Sequence, residues 1–507
     1  MRLSFLFSFI FFMTLQIFPL QEQVKAMSLE TQEIIQSWPQ QAKSPWIEAA
    51  VQGDIASLKS MLHEGQDINE QGLIGLTALM AACSQGQNEA ALFLLEQGAE
   101  CNLVGAKGIT ALIGASSEGL ADVVELLLER GANINAHGSK GETPIIMAAM
   151  YGQAEVVRVL AKHGADFQAQ GPQEATPLHY ACSMGSVDTV KVLLDLGANM
   201  DVVDYQGMTL LMVATRLGHE KVVQILLETY ANSHDAKAIA AYVNSNNTAG
   251  TTALNLAATQ NYGALIPILF DYGAQLSASK NTNLTPLMMS SYHGDLVAMK
   301  TLIEHGANCN AEGANNITPL LVAIINDNID AMALLLASGA DIEYRNAESF
   351  TPLLFAAQGG HTTTMQWLHK HNANIHARTE GDNKNALILA AEQGHTDTIL
   401  ALLDAGIDVN ETQSIGATAL MLATQGGYFD TVQTLIDHGA HVNTKTNTGI
   451  TALAIAALRQ PKKFAELLVQ HGADIHVITS EGTTIMDLAK ENKHAGVATF
   501  LEAHGVK

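Results

Sequence analysis

A period of 33 residues governs this chain. Thr77, Thr110, Thr143, Thr176 and Thr209 stand 33 residues apart; after a step of 43 the series resumes at Thr252, Thr285, Thr318 and Thr351. It slips by one to Asn385 and continues as Thr418, Thr451 and Thr484, while Ser44 lies one period before Thr77. Fourteen copies therefore occupy nearly all of residues 44–507. A copy this short cannot bury its own apolar face, so the copies must stack on one another and the chain cannot be divided into domains by length alone.

Each copy carries a start and a stop. Thr is a good helix N-cap and Pro is tolerated at the first helical position, so Thr176-Pro177 and Thr351-Pro352 open helices. A Gly-Ala pair closes the copy, as in Gly98-Ala99, Gly131-Ala132, Gly164-Ala165, Gly197-Ala198, Gly306-Ala307, Gly339-Ala340, Gly439-Ala440 and Gly472-Ala473. Glycine takes the left-handed conformation that ends a helix. Between start and stop, Val123, Val124, Leu126, Leu127 and Leu128 illustrate the apolar face of a second helix. With 48% hydrophobic, 15% charged and only 5% aromatic residues, burial must rely on Ala, Leu, Ile, Val and Met.

Thr176-Pro177-Leu178-His179-Tyr180-Ala181 resembles the signature of ankyrin repeats, and period, start and stop agree with it over about nine tenths of the chain. The resemblance implies an all-α repeat fold, an ankyrin-type solenoid of helix-turn-helix units joined by β-hairpin-like loops. About fourteen helix pairs packed roughly 8 to 10 Å apart would make an arc on the order of 120 Å long. One departure stands out. The signature His is present at His179, whereas Met80, Ile113, Met288, Leu321 and Met421 take its place elsewhere, so apolar packing is expected to replace its hydrogen bonds.

The first residues read as a secretory signal. Arg2 precedes an apolar run from Leu3 to Leu20, and Val24-Lys25-Ala26 offers a cleavage site after Ala26, although a run of this length also fits an uncleaved anchor. Residues 1–26 are thus expected to be a signal peptide and 27–43 an N-terminal capping segment. In that segment Ile34 and Trp38 lie four apart on a helix near Leu29–Trp38 and could cover the open apolar edge. Lys490-Glu491-Asn492-Lys493 and a final short helix cap the other end. Cleavage leaves 24 basic and 49 acidic side chains, a net charge of −25. Such a surface disfavours nucleic acid and anionic membrane and would steer a basic protein patch toward it, besides keeping a long array soluble.

Catalytic and cofactor signatures are missing from the sequence: no nucleotide-binding Gly-Lys pair, no His-Glu-x-x-His, no Gly-x-Ser-x-Gly, no calcium loop and no Cys-x-x-Cys. No cofactor and no metal is expected. Cys83 and Cys182 hold one repeat position and Cys101 and Cys309 another, and equivalent sites in distant copies cannot be bridged, so free thiols are expected. The 19 histidines include His361, His369, His371 and His376, but their spacing follows the repeat. His163, His305, His438 and His471 sit just before a helix-ending Gly, where an imidazole suits the helix dipole. Sequons at Asn246, Asn283, Asn316 and Asn410 matter only in a eukaryotic secretory route.

The resemblance implies that partners meet the hairpins and first helices of the concave face. The residue before each start Thr is apolar in seven copies, Leu76, Ile109, Met208, Leu284, Ile317, Phe350 and Ile450, and is expected to be exposed there. A second row at the end of the first helix reads Tyr151, Met184, Leu217, Tyr292 and Ile325. Apolar and Tyr clusters of this kind mark interfaces. The 43-residue step inserts a loop near 230–247, whose Ala-rich stretch 236–241 could form one helical turn before an Asn-rich loop, either a finger projecting toward those rows or an ordinary surface loop. The expected function is an exported, periplasmic or secreted protein–protein interaction scaffold, a monomer that binds a protein and is no enzyme. The alternatives are a secreted bacterial effector acting on a host protein, such export being more at home in bacteria by resemblance, and an inhibitor or enzyme with its site in the finger.

Overall fold

A computed structural model describes residues 44–72, 75–491 and 495–506; the expected signal peptide and capping segment lie outside the described residues. The chain divides into two compact units, Met1–Asn281 and Thr282–Lys507. Among the described residues both are built from helix pairs, and their only sheet-like pairing is the three isolated bridges Val203 with Thr209, Thr412 with Thr418 and Ile478 with Thr484.

The unit ending at Asn281 starts with the pair Pro45–Gln52 and Ile55–His63. Its first helices are then Ala78–Ser84, Ala111–Glu118, Pro144–Met150, Pro177–Met184, Leu210–Arg216 and Ala253–Thr259. The unit that follows repeats the scheme from Pro286–His293 with Leu296–Glu304 to Ile485–Glu491 with Ala495–Ala503. Helices of seven to nine residues are marginal in water, so stacking supplies most of their stability. Local signals open and close them. Thr143 and Thr351 accept at Oγ1 from the N–H of Ile146 and Leu354, with Pro at the first helical position. Gly197, at φ 82°, ends Val187–Asp195 in open space, so its conformation and not crowding demands glycine. Val123, Val124 and Leu127 are fully buried on the second helix, while Leu126 and Leu128 are only partly so.

Within each unit, three ladders of polar contacts tie neighbouring repeats together. In the hairpins, backbone N–H groups donate to carbonyls one repeat earlier, as from Ser139 to Lys107, Tyr205 to Gln173, Thr248 to Gln206, Ser414 to Asp382 and Ser480 to Thr448. Beyond the second helices a side-chain amide clasps the next copy. Asn102 donates to the Gly131 carbonyl at 2.9 Å and accepts from the Asn133 N–H at 2.7 Å, and Gln168, Asn310, Asn410 and Asn443 do the same. Before the second helices, Gln87, Gln153, His219, Asn328, His395 and Gln460 bond to carbonyls at the end of the preceding copy's first helix. Gly185 shows why that helix ends in glycine: besides its φ of 67°, a Cβ there would lie 2.5 Å from the His219 ring.

The insertion does not project as a finger or open loop. Position 230, where the register calls for the helix-ending glycine, is Tyr, so the second helix runs on as Glu220–Ser233; Asp235 then caps a further helix, Ala236–Val243. Tyr230 stacks on Tyr242 at 4.2 Å and on His234 at 3.9 Å, and Tyr242 and Val243 are buried. Asn244 then resumes the clasp, donating to the Gly273 carbonyl and accepting from the Gln275 N–H, both at 2.8 Å.

The signature His has more equivalents than its loss suggested. His179 Nδ1 accepts from the Thr176 N–H at 3.2 Å and lies 2.9 Å from Thr176 Oγ1. Asn255 does the same for Thr252, and Asp487 for Thr484. Apolar residues replace these bonds at Met80, Ile113, Leu321 and Met421, all buried as packing demands.

Candidate protein-binding surface

The residue before each start Thr closes its hairpin through its backbone. The carbonyls of Leu76, Ile109, Met208, Ile317, Phe350 and Ile450 accept from Gly72, Gly105, Asp204, Gly313, Asn346 and Thr446. That closure folds the side chain inward. Leu76, Met208, Ile317 and Phe350 are buried, Met208 to 2% exposure, while Ile109, Leu284 and Ile450 are half-buried. The expectation that this row is exposed is corrected at Leu76, Met208, Ile317 and Phe350, whose side chains belong to the core.

The second row divides as well. Tyr151, Met184 and Leu217 stand eight residues after their start Thr, but Tyr292 and Ile325 stand seven after theirs. One residue is about 100° of helix, enough to leave the column. Ile325 is accordingly buried, and Tyr292 is half-buried with its ring edge-on to His293. The true column in the first unit reads Gln85, Glu118, Tyr151, Met184, Leu217 and Gln260. Its apolar stretch spans three consecutive repeats. Met184 is 42% exposed, and Tyr151 and Leu217 are half-buried, Tyr151 packed against Ile146, Met150, Tyr180 and Met147.

Two residues beside this column carry no distinguishing signal within a single repeat. Tyr205, on the hairpin before Thr209, is 45% exposed. Arg216, the last residue of Leu210–Arg216, is only 6% exposed, and burial holds its guanidinium below the usual range against the opposing effect of the nearby Asp204 carboxylate. Asp204 is buried, its Oδ1 accepting at 2.9 Å from the N–H groups of Gln206 and Met208, and burial pushes its carboxyl up despite those bonds. In its column Arg216 occupies the place of Ser117, Met150 and Ser183.

Five of the histidines cap helix ends. Nδ1 of His305, His371, His438, His471 and His504 lies 2.8 to 2.9 Å from the carbonyl four residues earlier, so the ring caps a helix terminus. His163 instead approaches Glu125 at 3.1 Å, and His361 approaches Asp327 at 2.9 Å. Among the described residues no group of three His, Cys, Asp or Glu side chains could hold a metal, and no helix is long and apolar enough to cross a membrane. All four cysteines are free; Cys83 and Cys182 are fully buried, which pushes both thiols up.

Helix pairs joined by hairpins and bonded copy to copy define a helical repeat scaffold. The chain belongs to the ankyrin repeat family: the family profile described as "Ankyrin repeats (3 copies)" matches residues 46–138, 135–204, 197–280, 275–346, 320–413, 353–446 and 420–507. Among solved structures, the crystal structure of the human ASB11 ankyrin repeat domain is similar. It is 30% identical, with a TM-score of 0.41, over 46% of this chain and 100% of that one. A search of curated protein sequences returned no match. Ankyrin repeats generally mediate protein–protein interaction, and proteins built from them are typically scaffolds without enzymatic activity.

Proposed function

We propose that this protein is an exported, non-catalytic scaffold that binds a protein partner through the column Tyr151, Met184 and Leu217, flanked by Tyr205. The observation that carries the reading is the exposure of Met184 within an apolar stretch across three adjacent repeats, where the same column is polar on either side at Gln85, Glu118 and Gln260. A scaffold gains nothing in stability from a methionine left in water, whereas aromatic and Met side chains on a rigid frame suit an interface. Export rests on Arg2 and the apolar run that follows it.

A photo-crosslinking amino acid placed at Met184 or Leu217 in the native cell should trap one protein, and the same probe at Asp188, on the second helix of that repeat, should not. Equal trapping from all three positions would sink the assignment of this surface. N-terminal sequencing of the exported chain should begin at Met27; recovery of the uncleaved chain inside the cell would sink the export reading.

A further inference from the structure

Arg216 is a buried cation without a partner. Its Nε has neither solvent nor a hydrogen-bond acceptor, and the side chain forms no hydrogen bond or ion pair with any described residue. The two groups that face its charge are the Asp204 carboxylate and Tyr205. Asp204 attracts the guanidinium without touching it, because Oδ1 is held by the N–H groups of Gln206 and Met208 and the hairpin fixes the carboxylate in place. Tyr205 is fixed by its own N–H, which donates to the Gln173 carbonyl at 3.0 Å, and much of its ring remains in solvent.

A guanidinium carries five N–H donors in a planar fork; in Arg216 the Nε–H is shut away from solvent without an acceptor, which opposes folding, while Nη1 and Nη2 keep some contact with solvent. Such a cost persists where the missing acceptor comes from outside. Arg216 directly precedes Leu217 of the proposed binding column, and the helix that ends with it packs against Pro177–Met184, which ends with Met184. Tyr205, which faces the guanidinium charge and is 45% exposed, links Arg216 to that surface, so the missing acceptor would arrive with whatever covers Met184, Leu217 and Tyr205.

We propose that Arg216 is the polar anchor of this surface, and that the partner lays an Asp or Glu carboxylate on its guanidinium from within an otherwise apolar segment. The inference rests on the binding reading given above. A carboxylate matches the fork with two parallel hydrogen bonds and compensates the charge, which a neutral carbonyl does not. Repulsion from the acidic chain as a whole is screened beyond about 8 Å at physiological salt, so the contact itself decides.

The test uses the full chain and a displayed library of random peptides, selected against the parent protein. The selected peptides should share one Asp or Glu among apolar residues. Replacing that residue by Gln or Asn in the synthetic peptide, or Arg216→Gln in the protein, should each weaken binding by roughly tenfold to a hundredfold, and the two losses should not add. Asp204→Asn, which removes the competing carboxylate, should strengthen it. Arg216→Gln should melt no lower than the parent, because an unpaired buried charge is removed; a stabilising role for Arg216 would show as a large fall in melting temperature and would overturn the proposal. Peptides that bind Arg216→Gln as well as the parent, or that show no acidic position, overturn the anchor while leaving the surface standing if Met184→Glu abolishes their binding. Peptides indifferent to Met184→Glu overturn both.

Discussion

The Tyr230 hydroxyl donates to Oδ1 of Asp201 at 2.9 Å, at the point in the 33-residue register where other repeats join an amide side chain to a glycine carbonyl. Asp201 stands where Gln168 stands one copy earlier, and Tyr230 where Gly197 stands. An aspartate cannot donate to a carbonyl, and a tyrosine does not stop a helix as glycine does. The two substitutions suit each other: the helix runs on, and its phenol supplies the donor that the carboxylate needs. Asn244, at the end of the added helix, then restores the amide clasp.

The ten added residues should therefore be sensitive at their ends and tolerant between. Asn244→Ala removes both bonds to the next copy and should cost about 1 to 3 kcal/mol, whereas Asn246→Ala, an exposed neighbour with only a local bond, should cost under about 0.5 kcal/mol. Amide hydrogen exchange across 265–275 is the measurement, since losses in a repeat protein concentrate at the affected junction. Equal protection in the two variants would contradict the clasp.

His179 gives the first unit a pH dependence with a definite sign. Burial holds its imidazole down to about 4, so the folded protein keeps it neutral while the unfolded chain takes a proton near its ordinary 6.5. The associated stability is fully present above about pH 6.5 and is lost as pH falls from there toward 4, on the order of 3 kcal/mol in all. Asn255 shows that an amide can fill the same place beside its Thr. His179→Asn should thus keep the helix start and flatten this part of the acid response, read as the difference between the two proteins' denaturation midpoints from pH 7 to 4.5. A difference that does not change with pH would refute the assignment.

The repeat architecture was legible because each copy states it again: a single Thr-Pro pair is weak evidence, but Thr cap, glycine stop and 33-residue spacing recur until chance is excluded. The surface was less legible for the same reason. Apolar residues before the start Thr look redundant within one copy, and only the folded chain shows that Met208 and Phe350 are buried. The helical turn of the insertion is legible in its Ala-rich stretch, but its packing is not, because that depends on Tyr242 meeting Tyr230, twelve residues earlier. Arg216 was overlooked because a lone basic residue at a helix end usually sits in water.

Exposure, then, and not apolarity decides which of these positions can be a surface, and the difference is measurable without knowing the partner. Met208→Glu would place a carboxylate where 2% of the residue reaches solvent, and should destabilise its unit by more than about 3 kcal/mol. Met184→Glu replaces a side chain already 42% exposed at the end of its helix and should change stability by no more than about 0.5 kcal/mol. Chemical denaturation of the two variants checks the contrast. Partner capture lost in Met208→Glu would therefore report unfolding, whereas capture lost in Met184→Glu with an unchanged denaturation midpoint would report the interface itself.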